Sequence, residues 1–294
     1  MTHDRVMIIA PHPDDESLAC AGVILRTKRA GGSVRVVFLT NGDGFAKAAA
    51  LNSSKDIGAL VPEDFMAMAR SRQGSAVKAC RLLGLSPQDG VFLGYPNGGL
   101  SRMMSAPEEE VFTQPCTGKS GTYALMAPDY HSQAHGKPAP YTRSAARGDV
   151  GELIKDFAPG EIYVTDAADG HGDHRAAFGL ARDAASAAGF RGKLYTYLVH
   201  VATGTWPWPR GATPDSPFEF HEEDGKPVPS GLAWPPNDRR PMTREEAALK
   251  LAAIQSYTLE MELAKDYIES FVKSEEIFWL PEAEGQSDRS RRRD

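Results

Sequence analysis

The sequence predicts an α/β fold: a single Rossmann-like domain, a mostly parallel sheet with helices on both faces, and a site at the C-terminal edge of the strands. Three observations carry this. Short runs rich in β-branched and aromatic residues alternate with longer runs of helical apolar spacing, the pattern of parallel strands joined by crossover helices. Helical runs stop at glycine, as at Gly31-Gly32 and Gly84, where a C-terminal stop is expected. The chain has 294 residues, 41% hydrophobic and 24% charged, so it can bury a sizeable core without disulfides or a structural metal.

In chain order, strands are expected at residues 6–10, 34–40, 91–95, 162–166 and 194–201, each flanked by turn residues. Helices are expected at 17–30, 63–83, 144–157 and 174–188, and one or two more at 244–272, packing on the outside. Parallel sheets hold ligands beyond the carboxyl ends of their strands, so the loops after Ala10, Thr40, Tyr95 and Asp166 are where chemistry is expected. Two segments break the alternation. Residues 100–143 carry Gly, Pro and Ser with little periodicity, and 203–241 are richer in Pro and Trp; loops this long are usually functional or mobile. One domain over residues 1–283 and a polar, solvated tail over 284–294 complete the organisation.

Composition narrows the function classes. The net charge of −6 argues against nucleic acid as a partner, and the basic run 289–293 has no aromatic residue to stack on a base. Cys20, Cys80 and Cys116 are scattered, with no CxxC, so neither a disulfide framework nor a thiolate zinc cage is expected. The apolar run 6–10 is too short for a signal-peptide core or a membrane span. A cytoplasmic protein is the expectation, and self-association into a homo-oligomer is left open.

Two clusters then stand out, each directly after an expected strand: Pro11-His12-Pro13-Asp14-Asp15-Glu16 and Asp169-Gly170-His171-Gly172-Asp173-His174. Parallel strands bring such ends together. A catalytic zinc takes three protein ligands and keeps one position open, and His12, Asp15 and His174 supply a His₂Asp set. Other divalent ions also suit these donors. Asp14, adjacent to a ligand, is the expected general base, since zinc brings bound water towards neutral pKa. His171 is expected to stabilise an oxyanion and protonate a leaving amine, and Asp173 to orient an imidazole. A plainer role also fits the acidic residues: Asp14, Asp15 or Glu16 capping the helix that follows.

These paired motifs resemble the PIG-L/LmbE-like family of zinc-dependent N-acetylglucosamine deacetylases. The resemblance extends through Val36 to Asp43, Arg72 with Leu83-Gly84, Phe92-Leu93-Gly94-Tyr95-Pro96, Leu198-Val199-His200 and residues 271–278. It implies zinc on the positions of His12, Asp15 and His174, a base at Asp14, and His171 acting on the tetrahedral intermediate. It also implies a small-molecule or glycoconjugate substrate carrying N-acetylglucosamine. Ser75 and Asn97 stand where the family often has acidic residues, which bears on substrate contacts and local packing rather than on metal. Two other readings use the same residues: an amidase acting on thiol conjugates or other bulky acylated amines, and a catalytically silent sugar-binding protein. A dinucleotide-binding oxidoreductase is disfavoured, because no G-x-G-x-x-G follows the first strand.

Weaker candidates have plainer alternatives. Asp43 either hydrogen-bonds a sugar hydroxyl or serves the turn between Gly42 and Gly44. His200 ends a strand on the expected active-site side, where it either approaches substrate or, as the plainer reading has it, packs. His131 and His135 have the i,i+4 spacing that holds a metal on a helix, but their Gly/Pro-rich surroundings read as loop. Trp206, Trp208 and Trp234 either stack on a sugar or anchor an irregular loop.

Overall fold

A computed structural model describes residues 4–126, 128–201, 206–223, 226–228 and 232–281. The expected polar tail over 284–294 lies outside the described residues. The chain runs β1 (Arg5–Ala10), α1 (Asp15–Arg29), β2 (Ser33–Thr40), α2 (Ala46–Ser53), α3 (Pro62–Leu82), β3 (Gly90–Tyr95), α4 (Leu100–Ser105), α5 (Tyr130–His135) and α6 (Arg143–Phe157). It continues through β4 (Glu161–Thr165), α7 (Gly172–Ala187), β5 (Lys193–Tyr197), β6 (His221–Glu223), β7 (Lys226–Val228), β8 (Asp238–Pro241), α8 (Arg244–Ile254), α9 (Thr258–Glu269) and β9 (Glu275–Phe278). The first five strands form one sheet in the order β3-β2-β1-β4-β5, and every pairing in it is parallel.

The central strands read as unbroken apolar runs because both faces are covered. Along β1, Val6, Ile8 and Ala10 face one core with α1 and α8, while Met7 and Ile9 face the other with α6 and α7. That is the two-residue alternation of a strand, repeated in β2 by Val34, Val36 and Phe38 against Val37 and Leu39.

Several boundaries differ from expectation. The last parallel strand stops at Tyr197, because the backbone N–H groups of Val199 and His200 donate to Asp169 Oδ2 at 2.9 and 3.0 Å instead of to a neighbouring strand. Residues 131 and 135 lie on helix α5, not in a loop. Asp129 caps it by accepting from Ser132 N at 3.0 Å, and Gly136 ends it with φ 74°; six residues are too few to show periodicity in sequence. Within 203–241, β6 pairs with β7, and β8 pairs antiparallel with β9. The tryptophans there act as anchors. Trp206 is buried and stacks on Phe218 at 5.4 Å, Trp234 meets it edge-on, and Trp208 stacks on His221. Helices α8 and α9 were expected outside, yet Ala247, Ala253, Ile254, Tyr257 and Ile268 are core residues. Among the described residues, no helix is long and apolar enough to cross a membrane.

Candidate active site

The strand order reverses between β1 and β4, since β1 leads outward to β2 while β4 leads to β5 on the other side. At such a switch point the two following loops part and leave a crevice. Both sequence clusters lie there. His12 Nδ1 is 3.1 Å from His174 Nε2, Asp15 Oδ2 is 3.6 Å from His12 Nδ1, and Asp15 Oδ2 is 3.4 Å from His174 Nε2. The far nitrogen of each imidazole meets a carboxylate at 3.2 Å: His12 Nε2 faces Asp173 Oδ2, and His174 Nδ1 faces Asp169 Oδ2.

Sequence reading had given Asp169 no role. It receives N–H groups from His171 at 2.8 Å, Val199 at 2.9 Å and His200 at 3.0 Å. Burial would raise its pKa, but His174 and these donors hold it down to about 2. Asp173 also accepts from Leu100 N at 3.1 Å and from Gly98 N, so it ties the loop after β3 to His12.

Asp14 occupies the N-cap position of α1 but its side chain makes no capping bond. Glu16 does the local work instead, accepting from Asp14 N at 3.1 Å and from the hydroxyls of Ser17 and Tyr257. Released from capping, the Asp14 carboxylate meets Arg72 Nη2 at 3.4 Å. Arg72 is buried, paired with Glu260, and bonded to the carbonyls of Pro13 at 3.0 Å and Gly42 at 3.2 Å. Asp14 holds φ 130°, a region L residues rarely adopt and one that recurs at functional sites. Burial pushes its carboxyl well above the usual range, against the pull of Arg72.

His171 is the N-cap of α7, with Nδ1 accepting from Asp173 N at 3.2 Å. That bond assigns the lone pair to Nδ1 and the proton of the neutral ring to Nε2. Burial, with His174 nearby, lowers its pKa.

His12, Asp14, Asp15, Arg72 and His171 line a cavity of about 290 Å³. All four loops singled out in sequence contribute: His12, Asp14 and Asp15 after β1, Gly44 and Phe45 after β2, Asn97 and Gly98 after β3, and His171 after β4. Asn97 also accepts from Gly44 N at 2.8 Å. His200 is a wall residue rather than a packing one, stacked on Tyr267 and hydrogen-bonded to its hydroxyl at 3.0 Å. Tyr267 and Ile268, from the helix expected outside, close the same wall. Asp43 is turned away: it is buried, accepting from Asn97 N at 3.1 Å and Tyr123 Oη at 2.7 Å, and does not line the cavity.

The donor set fits a divalent metal. Tetrahedral zinc with bonds of about 2.0–2.1 Å places its ligand atoms about 3.3 Å apart, and the edges 3.1, 3.4 and 3.6 Å bracket that spacing. Burial lowers the pKa of His12 to about 3, favouring the neutral imidazole that ligation requires, whereas at His174 the neighbouring Asp15 and Asp169 outweigh burial and raise it. His12, Asp15, Asp169, Asp173 and His174 are all at most 6% exposed. So many buried carboxylates are costly without a cation among them. His171 also brings a ring nitrogen within 4.8 Å of the other two histidines.

A family model described as PIG-L, GlcNAc-PI de-N-acetylase, matches residues 7–185. No curated protein matches the chain. Among solved structures, the N,N'-diacetylchitobiose deacetylase of Pyrococcus horikoshii is 16% identical with a TM-score of 0.55, over 95% of this chain and 84% of that one. A teicoplanin deacetylase in a zinc-inhibited form is 14% identical with a TM-score of 0.52, over 91% and 90%. The 4-carboxy-2-hydroxymuconate hydratase of Pseudomonas putida KT2440 is 16% identical with a TM-score of 0.54, over 91% and 82%. At such identities the likeness is one of fold.

Proposed function

The chain belongs to the PIG-L family, and from that premise we propose that it is a zinc-dependent amidase that removes an acetyl group from the nitrogen of an N-acetylglucosamine-containing small molecule or glycoconjugate. The observation that carries this reading is the convergence of His12 Nδ1, Asp15 Oδ2 and His174 Nε2 beside an Asp14 carboxylate that caps nothing. A zinc ion on those three donors supplies Lewis acidity, polarising a carbonyl and bringing water into the range where a carboxylate deprotonates it. Asp169 and Asp173 hold the two imidazoles in the tautomers that aim His174 Nε2 and His12 Nδ1 inward.

Asp14 takes the proton from water as it attacks the amide carbon. Arg72 positions that carboxylate from behind, through its contacts with Pro13, Gly42 and Glu260. His171 donates its Nε2 proton as a hydrogen bond to the carbonyl oxygen as that oxygen gains charge. The cap bond on Nδ1 favours the neutral ring, so the amine proton, which the sequence reading expects from His171, comes on this mechanism from Asp14. Asp14 delivers to the leaving nitrogen the proton it took from water. The cavity, at about 290 Å³, sits at the lower bound for ligand pockets, suited to one sugar ring with the remainder of a conjugate outside.

The test is amine release from a panel of N-acetylglucosamine derivatives and thiol-conjugate amides, using zinc-loaded and chelator-treated protein. Release from the N-acetyl sugars that stops with chelation and returns with zinc supports the reading. Release from conjugates alone moves the substrate class to bulky acylated amines. Binding of sugars without turnover, or hydration of an unsaturated dicarboxylate with every amide intact, overturns it.

A further inference from the structure

We propose that His131, His135 and Asp149, with Glu152 beside His135, form a second site for a divalent transition metal of the zinc class, which fastens helix α5 to helix α6. The condition the sequence set for these histidines, that i,i+4 spacing must fall on a helix, is met by α5. Their rings lie 4.3 Å apart between centroids. Opposite them, Asp149 and Glu152 stand three apart on α6, the spacing that puts two side chains on one helix face.

The two pairs already meet. His131 Nδ1 is 2.7 Å from Asp149 Oδ1, and His135 Nε2 is 3.0 Å from Glu152 Oε2. One ligand atom from each of His131, His135 and Asp149 lies within 4.8 Å of the others. Asp149 is held from behind by a phenol, Tyr95 Oη donating to its Oδ2 at 2.7 Å, while Tyr130 Oη donates at 3.1 Å to Glu152 Oε2, the oxygen that faces His135. Supported ligands of this kind mark metal sites.

The cluster also grades from interior to surface. Side-chain exposure is 2% at Asp149 and 16% at His131, then 36% at His135 and 46% at Glu152. A metal can therefore enter past His135 and Glu152 and close on Asp149. Two imidazoles with carboxylates suit zinc, cobalt, nickel or copper better than calcium or magnesium. None of the four residues lines the active-site cavity, so this site is separate from the His12, Asp15 and His174 set.

What it would fasten is a segment short of structure of its own. Helix α5 has six residues, well below the length at which a helix stands alone. The surrounding insertion supports the active site from behind, through Tyr123 on Asp43 and Gln114 on the Asn97 carbonyl.

The experiment is equilibrium dialysis of the full chain against chelator-buffered zinc, followed by a metal count. The wild type is expected to hold two ions per chain and H131A/H135A one. If the double variant holds as many ions as the wild type, the site does not exist. Should that variant fail to fold, His135→Gln decides, because its side chain is partly exposed. In a His174→Ala background, Co²⁺ is expected to give a visible ligand-field spectrum that His135→Gln abolishes; a spectrum unchanged by His135→Gln overturns the proposal. The comparison keeps its meaning even if the His174 site binds no metal, since it rests on His135 alone.

Discussion

At the scale of single residues, the cluster divides labour by which atoms are already occupied. Glu16 takes the helix-start bond from Asp14 N, so the Asp14 carboxylate is left free of the helix start while the residue sits at φ 130°. A non-glycine residue there costs about 1–3 kcal/mol and persists where the surroundings impose it. Asp14→Asn is expected to lower kcat by about 10²- to 10⁴-fold, the usual contribution of acid–base catalysis, with zinc still bound. Asp14→Gly should be equally inactive but no less stable in denaturant, because glycine tolerates the backbone. A clear loss of stability in Asp14→Gly would mean that the residue serves the fold. For His171, the proposed mechanism turns on Nε2. His171→Ala is expected to cost about 10²- to 10³-fold in kcat, as removal of an oxyanion donor does, with KM little changed. His171→Gln, which keeps a donor near the Nε2 position, should recover part of that loss; equal loss in both would point to a role for the ring other than donation.

At the scale of elements, the loop after β2 illustrates how the site is braced. Gly42 has φ 69°, and a Cβ there would come within 2.1 Å of Arg72 Nη1. Gly42→Ala therefore imposes a left-handed backbone, about 1–2 kcal/mol, and displaces the guanidinium that backs Asp14. Denaturant melts should show that loss of stability, and activity should fall with zinc content unchanged. A fully active Gly42→Ala protein would show that Arg72 does not position the base. This brace was not legible in sequence. Arg72 was visible only through a resemblance, and its partner Glu260 lies 188 positions away on a helix expected outside. By contrast, the convergence of His12, Asp14, Asp15, His171 and His174 was legible, because their two motifs follow apolar strands whose carboxyl ends the topology brings together. The role of Asp169 was missed although it opens the same motif: spacing shows which residues share a loop, but not which carboxylate meets which ring nitrogen. Tyr267 was missed, and His200 was weighed as a packing residue, because their wall depends on how α9 crosses the sheet edge, a long-range packing outcome with no local pattern. Helix α5 was missed for the opposite reason, being too short to have a pattern, although its Asp129 cap and Gly136 stop were both in view.

At the scale of the whole molecule, the donors come from distant parts of one chain, with His12 and His174 separated by 162 positions. They converge only when β1 and β4 are paired, so the native state presents this set to a metal and the unfolded chain does not. Ligand bound only to the native state stabilises by RT ln(1 + [L]/Kd). Above saturation, each such ion should therefore add about 1.4 kcal/mol to the unfolding free energy for every tenfold rise in free zinc. Urea unfolding in chelator-buffered zinc reads that slope directly. With H131A/H135A, which isolates the active site, one ion's slope is expected, and adding His174→Ala should flatten the line. Both halves of the comparison are needed, because a general salt effect of zinc would leave the slope in place after His174→Ala. A line already flat in H131A/H135A, at zinc levels where dialysis shows the ion bound, would mean that the unfolded chain binds it equally well. The convergence of His12, Asp15 and His174 would then not be what holds the metal.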